Sequence, residues 1–240
     1  MAYQAIFKRY EMKYLLDGQK KAAVLEAMRR YMALDRYGRS TVRNLYLDTD
    51  SYRLIRRSLE KPVYKEKLRI RSYDRAGPED TVFVELKKKY RGVVYKRRTA
   101  MPLTTATAWL EDGGACPQDT QICREIDYFA GFYAPLRARV LLTYDREAYH
   151  CADIPDLRIT FDENILARTQ ELSLDSRIYG HALLAPGLTL MEIKSAGAIP
   201  LWLSRVLTRE QLHKTSFSKY GTAYETTIFS KQEATTHGNF

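Results

Sequence analysis

Apolar and polar residues alternate with a period of two along much of the chain, the pattern of strands with one buried face. Residues 4–14 read as a strand. Asp17 then caps a helix running to about Met32, with Ala22, Leu25, Met28 and Met32 on one face. Further strands are expected near 41–48, 63–73, 81–90, 93–101, 136–150, 157–163 and 188–195. Helices are expected at 52–59, 104–111, 119–133, from Pro200 to about Leu207, and at 217–230. Most consecutive strands lack a crossover helix, so the class is α+β with a mainly antiparallel sheet. The Gly- and Pro-containing stretch Asp112–Pro117 reads as a loop inserted between two helices. No internal repeat or linker divides the chain, so residues 1–240 form a single domain.

The polar positions of these strands are unusual in sign. Lys65, Lys67, Arg69 and Arg71 occupy alternate positions, so they share one strand face opposite Leu68 and Ile70. The next strand places Glu85, Lys87 and Lys89 opposite Val82, Val84 and Leu86, and the following one adds Lys96 and Arg98. Arg9, Glu11 and Lys13 align on the first strand, and Glu192 and Lys194 on a late one. One such row is ordinarily a solvated face. A wet face, however, normally mixes signs to limit repulsion. Cation-dominated rows on several strands instead fit a closed barrel with its charged side inward. That lumen would be filled by a polyanion, with a divalent metal on its few carboxylates.

Composition narrows the partner. The 240 residues carry 39 Lys+Arg against 29 Asp+Glu, a formal charge of +10, together with 18 tyrosines. This balance favours an anionic partner. A hydrophobic content of 45% is enough for a core and excludes a disordered chain. No run of about 18 apolar residues is present, and the N-terminus lacks the apolar stretch of a secretory signal. Cys116, Cys123 and Cys151 are odd in number and lack metal-ligand spacing, so a reducing, cytoplasmic setting is expected. The four histidines show no metal spacing, and there is no P-loop.

Seven short segments occur in an order that carries a resemblance. They are Arg9–Tyr14, Lys67–Tyr73, Phe83–Lys87, Tyr144–Arg146, Arg158–Asp162, Met191–Lys194 and Phe217–Tyr220. Together they resemble the catalytic domain of the vacuolar transporter chaperone (VTC) polyphosphate polymerases, within the triphosphate tunnel metalloenzyme (CYTH-like) superfamily. The resemblance spans about residues 5 to 230.

It implies an eight-stranded antiparallel β-barrel tunnel with a basic interior, flanked by helices. It also implies transfer of the ATP γ-phosphate to a growing inorganic polyphosphate chain, with release of ADP. By resemblance, Lys13, Arg69, Arg71, Lys87, Lys96, Arg146 and Arg158 are the catalytic, phosphate-gripping residues. Glu11, Lys194, Ser218 and Lys219 are substrate-binding, and Glu192 holds the metal, Mn2+ or Mg2+. ATP, inorganic polyphosphate and a membrane protein are the partners the resemblance allows, and no specific nucleic acid is expected.

Two positions depart from the wider pattern. The hydrolytic members carry Glu-x-Glu-x-Lys where this chain has Arg9-x-Glu11-x-Lys13, which argues for a single metal and against water activation. Ser216 stands where eukaryotic polymerases usually carry Lys, with Lys214 two positions away. Lys65, Lys67, Lys89 and Arg98 share the inward parity, and for them two readings stay open: a place inside the tunnel, or a solvated one beyond it, which is at least as well supported. Glu85 is expected to be a salt-bridge partner spacing the cations. The competing functions are a tunnel-fold triphosphatase acting on inorganic triphosphate or RNA 5′-triphosphate, and a non-catalytic polyphosphate or nucleic-acid binding module.

Overall fold

The computed structural model describes residues 10–229. Nine strands form one antiparallel sheet: β1 (Tyr10–Leu16), β2 (Met32–Asp48), β3 (Tyr64–Tyr73), β4 (Thr81–Tyr90), β5 (Val93–Pro102), β6 (Arg137–Cys151), β7 (Arg158–Arg168), β8 (His181–Ala182) and β9 (Thr189–Ser195). The order across the sheet is β1-β9-β7-β6-β2-β3-β4-β5, with the two-residue β8 paired to β7. The helices are α1 (Gly18–Met28), α2 (Arg53–Leu59), α3 (Leu103–Leu110), α4 (Gln121–Phe132), α5 (Leu201–Arg209) and α6 (Lys219–Ala223), the last continuing into a π-helical turn, Tyr224–Phe229.

The expected α+β class and antiparallel sheet are present, while among the described residues the sheet is not closed into the eight-stranded barrel. The sheet curls until β1 and β5 touch, yet no ladder joins these two edges among the described residues. Boundaries also shift. Asp17 caps α1 as expected, its side chain accepting from the Lys20 amide at 2.8 Å. The helix ends at Met28, however, and its buried residues are Val24 and Met28, with Ala22 exposed. Met32 opens β2 instead. The final helix is shorter than expected and turns π-helical from Tyr224.

The period-two pattern explains how the layers pack. Leu68, Ile70, Val82, Val84 and Leu86 leave the outer face of β3 and β4 and meet α3 and α4 through Trp109, Ile126 and Phe129. A second core joins Tyr14, Leu16, Ile159, Phe161 and Ile193 to α1 and α5. The third lies on the inner side, where Tyr220, Ala223 and Tyr224 pack against Val42, Tyr46, Leu142 and Tyr144. The C-terminal helical segment thus stoppers one end of the curled sheet. Tyr220 anchors it by donating to Asp48 Oδ2 at 2.9 Å, and Asp48 also accepts the amides of Thr49, Leu54 and Ile55. Gly221 marks the close approach of α6 to α2: a Cβ there would come within 2.9 Å of a Leu59 methyl group and 3.2 Å of the Ser218 side chain.

Cys116 and Cys123 are joined as a disulfide tying the inserted loop to α4, and Cys151 is a buried free thiol. Among the described residues no helix is long and apolar enough to cross a membrane.

Candidate functional site

The inner face of the sheet gathers the charged rows into two clusters, each built around buried carboxylate. In the first, Glu85 on β4 is 1% exposed. Arg69 of β3, directly opposite in register, donates from Nε at 2.9 Å and Nη2 at 2.7 Å to Glu85 Oε2. Lys96 lies 2.6 Å from Oε1, and Arg98 Nε also donates to Oε1 at 2.6 Å. Arg71 stands 3.8 Å away and is held by Asn44 Oδ1 at 2.8 Å and the Tyr144 hydroxyl at 3.2 Å. Burial opposes ionisation of Glu85, but Arg71, Arg69, Lys96 and Arg98 hold it well below the usual carboxylate range. Glu85 is therefore an ion-pair hub for four cations, as its sequence position implied.

The second cluster is centred on Asp162 of β7 and Glu192 of β9. Arg146 forms a two-pronged pair with Asp162 at 2.6 and 2.7 Å. Lys219 donates to Asp162 Oδ2 at 2.5 Å and to Glu192 Oε1 at 3.1 Å. Lys13 and Lys194 each lie 3.5 Å from Glu192. Against burial, Lys219, Lys13, Lys194 and Arg146 keep Glu192 ionised far below its ordinary range. Asp162 is fully buried and had no role assigned from sequence.

Between the clusters, Lys87 Nζ lies 2.8 Å from Glu11 Oε2, and Lys67 donates to Ser218 Oγ at 3.1 Å. Burial, then Lys13, Lys87, Lys65 and Arg69, push Lys67 down to about 7. Ser218 Oγ also caps α6 by accepting the Gly221 amide, and Phe217 O accepts from Lys13 Nζ at 2.8 Å. The Phe217–Lys219 segment is thereby clasped by lysines of β1 and β3.

The geometry also places the remaining inward-parity positions. Lys67 and Arg98 are not in solvent; both belong to the inner set. Lys65 does lie aside, donating to Ser58 O on α2. Arg158 shares the inward parity, but its side chain is 43% exposed and reaches Asp35 at 3.4 Å, apart from both clusters. Lys214 and Ser216 are exposed, and Arg9 lies outside the described residues.

Ten inner cations (Lys13, Lys67, Arg69, Arg71, Lys87, Lys96, Arg98, Arg146, Lys194 and Lys219) thus face four carboxylates, Glu11, Glu85, Asp162 and Glu192. Such an excess is costly without an anion and is relieved by one. Among the described residues no three His, Cys, Asp or Glu side chains converge as a metal cage. Glu11 and Glu192 suit a hard divalent cation that arrives on phosphate oxygens and takes one or two protein carboxylates.

Comparison with known proteins gives the family and the fold. The VTC domain family matches residues 8–228. No curated protein matches the sequence. Among solved structures, a candidate adenylate cyclase from Bacillus halodurans is similar at 14% identity, covering 90% of this chain and 96% of that one, with a TM-score of 0.54. A candidate adenylyl cyclase from Hippeastrum, described as having a dominant triphosphatase activity, is similar at 17% identity, covering 91% and 96%, with a TM-score of 0.56. At these identities the likeness establishes the fold these proteins share. The family match spans nearly the whole chain and both charged clusters, and the chain belongs to the VTC domain family.

Proposed function

We propose that the protein is a polyphosphate polymerase, transferring the γ-phosphate of ATP to the end of an inorganic polyphosphate chain on the inner face of the sheet. The observation that carries the reading is the excess of part-buried cations over carboxylates, arranged in two clusters on the inner face. The Glu85 cluster supplies forked guanidinium groups that grip successive phosphates of a nucleotide. The Asp162–Glu192 cluster, with Lys13, Lys194 and Lys219, supplies the charge for the acceptor chain.

Transfer needs little beyond alignment and neutralisation of charge. A terminal polyphosphate oxygen attacks the γ-phosphorus in line, the bridging bond to the β-phosphate breaks, and ADP departs with those electrons. Arg69, Arg71 and Lys96 offset charge on the leaving phosphates, and Lys219 and Arg146 position the attacking end. Bound on Glu192, with Glu11 beside it, Mn2+ or Mg2+ would supply further neutralisation of phosphate oxygens.

The test is to incubate the protein with ATP and Mn2+, with and without a short polyphosphate primer, and to resolve the products on a polyphosphate gel. A ladder matched by ADP is the expected result, abolished by Arg71→Ala, by Glu192→Ala and by chelator. Free phosphate without chain growth would establish the triphosphatase reading instead. Binding without turnover would establish the binding module.

A further inference from the structure

The inner row of β3 does not end on a cation. It runs Lys67, Arg69, Arg71 and then Tyr73, while the row of β4 runs Lys87, Glu85 and then Phe83. Tyr73 is about 20 Å along the strand from Lys67, at the end away from the α6 stopper. The residue is 46% exposed. The other inner tyrosines offer no such surface. Tyr46 is stacked on Tyr220 at 4.5 Å, and Tyr46, Tyr144 and Tyr220 are all buried.

Tyr73 is also held in place. Phe83 meets it edge-on at 5.8 Å, and Arg98 Nη2 donates to its hydroxyl at 3.2 Å. Arg98 simultaneously covers the Phe83 ring at 4.2 Å and binds Glu85. One arginine therefore joins an open aromatic ring directly to the hub of the first cation cluster. A fixed, half-exposed ring beside a row of phosphate-gripping cations is the arrangement that receives a flat heterocycle attached to a phosphate chain.

We propose that Tyr73 is the platform on which the base of a nucleoside triphosphate stacks, with its phosphates directed inward to the Glu85 cluster. This rests on the reading of the inner face as a phosphate site. It adds that the nucleotide enters from the Tyr73 end, and that the base contributes affinity without being read by hydrogen-bonding groups. Purine nucleotides would be accepted with little discrimination between adenine and guanine, because stacking tolerates either base.

The experiment measures equilibrium binding of ATP, GTP, ribose 5′-triphosphate and inorganic triphosphate, all with Mg2+, to the unmodified protein and to Tyr73→Ala and Tyr73→Phe. In the unmodified protein ATP and GTP should bind alike, and about tenfold tighter than ribose 5′-triphosphate. Tyr73→Ala should erase that advantage while leaving inorganic triphosphate affinity within twofold, and Tyr73→Phe should retain it. Equal binding of ATP and ribose 5′-triphosphate by the unmodified protein overturns the proposal, whatever the variants do. So does an equal loss of ATP and inorganic triphosphate in Tyr73→Ala, which marks a structural role. If the unmodified protein binds no triphosphate at all, the phosphate-site reading itself falls, and the base platform with it.

Discussion

Lys87 Nζ lies 2.8 Å from Glu11 Oε2, joining β4 near one edge of the sheet to β1 at the other. The gap between the two edges has no backbone ladder among the described residues, so this side-chain bond is one of the ties across it. Lys87 is 36% exposed, which limits the strength of the pair. Glu11→Gln should lower stability by about 1 kcal/mol, read as a shift in denaturant midpoint. A cycle with Lys87→Met should show the two changes coupled. Strict additivity would mean that this pair does not help to hold the curl.

Glu85 presents a different balance. Removing its charge leaves Arg69, Arg71, Lys96 and Arg98 crowded without a counterion. Glu85→Gln should therefore cost about 3–5 kcal/mol. Inorganic triphosphate should restore more thermal stability to this variant than to the unmodified protein, because it supplies the missing charge. Calorimetry with and without triphosphate decides the matter; equal stabilisation of both would show that the anion does not reach this cluster.

Lys67 lies among cations and is pushed from 10.5 down to about 7 by burial and its neighbours. Between those values the unfolded chain holds a proton that the folded chain releases, so Lys67's contribution to stability rises with pH across that window. An anion beside it favours the charged form. Triphosphate binding at pH 8 should accordingly take up a proton, and affinity should fall as pH rises above about 7. Titration calorimetry in buffers of different ionisation heat measures the uptake, and Lys67→Met should remove it.

Outside the inner face, Glu163 accepts from Lys21 Nζ at 2.7 Å, Arg39 Nη1 at 2.8 Å and Thr189 Oγ1 at 2.9 Å. Burial opposes its ionisation, but these bonds lower it from 4.5 to about 2. A depressed carboxylate stabilises above its unfolded value, and the benefit disappears as pH falls from about 4.5 to 2. Glu163→Gln should flatten the acid limb of the stability curve in that interval while leaving triphosphate affinity unchanged. An unaltered limb would assign the acid sensitivity to the inner carboxylates.

The inward rows could be read from sequence because strand geometry fixes side-chain parity two residues at a time. The ion pairs could not, because they depend on register and curl. Lys65 and Lys67 share a face and differ by one pleat. Yet Lys65 meets Ser58 nearby in sequence, whereas Lys67 meets Ser218, 151 residues away. Asp162 looked like one more polar position in an alternating strand until the pairing of β6 with β7 set it opposite Arg146. The first half of β2 was missed for another reason. Ala33, Leu34, Arg36, Tyr37 and Arg39 are exposed, and a register shift falls between Leu34 and Arg39, so no buried face imposes an alternation.

The pairing of β1 with β9 also governs when the inner face can exist during synthesis. A chain that has emerged only as far as Leu188 already contains Arg69, Arg71, Glu85 and Lys96, but β1 then has no strand beside it, since its ladder partner is still to come. Glu11 and Lys13 meet Lys194 and Glu192 only after the last strand arrives. The half of the groove assigned to the acceptor chain thus needs β1 and β9 together and cannot form until Thr189–Ser195 has emerged. Until then β1 is an open edge exposed to mispairing.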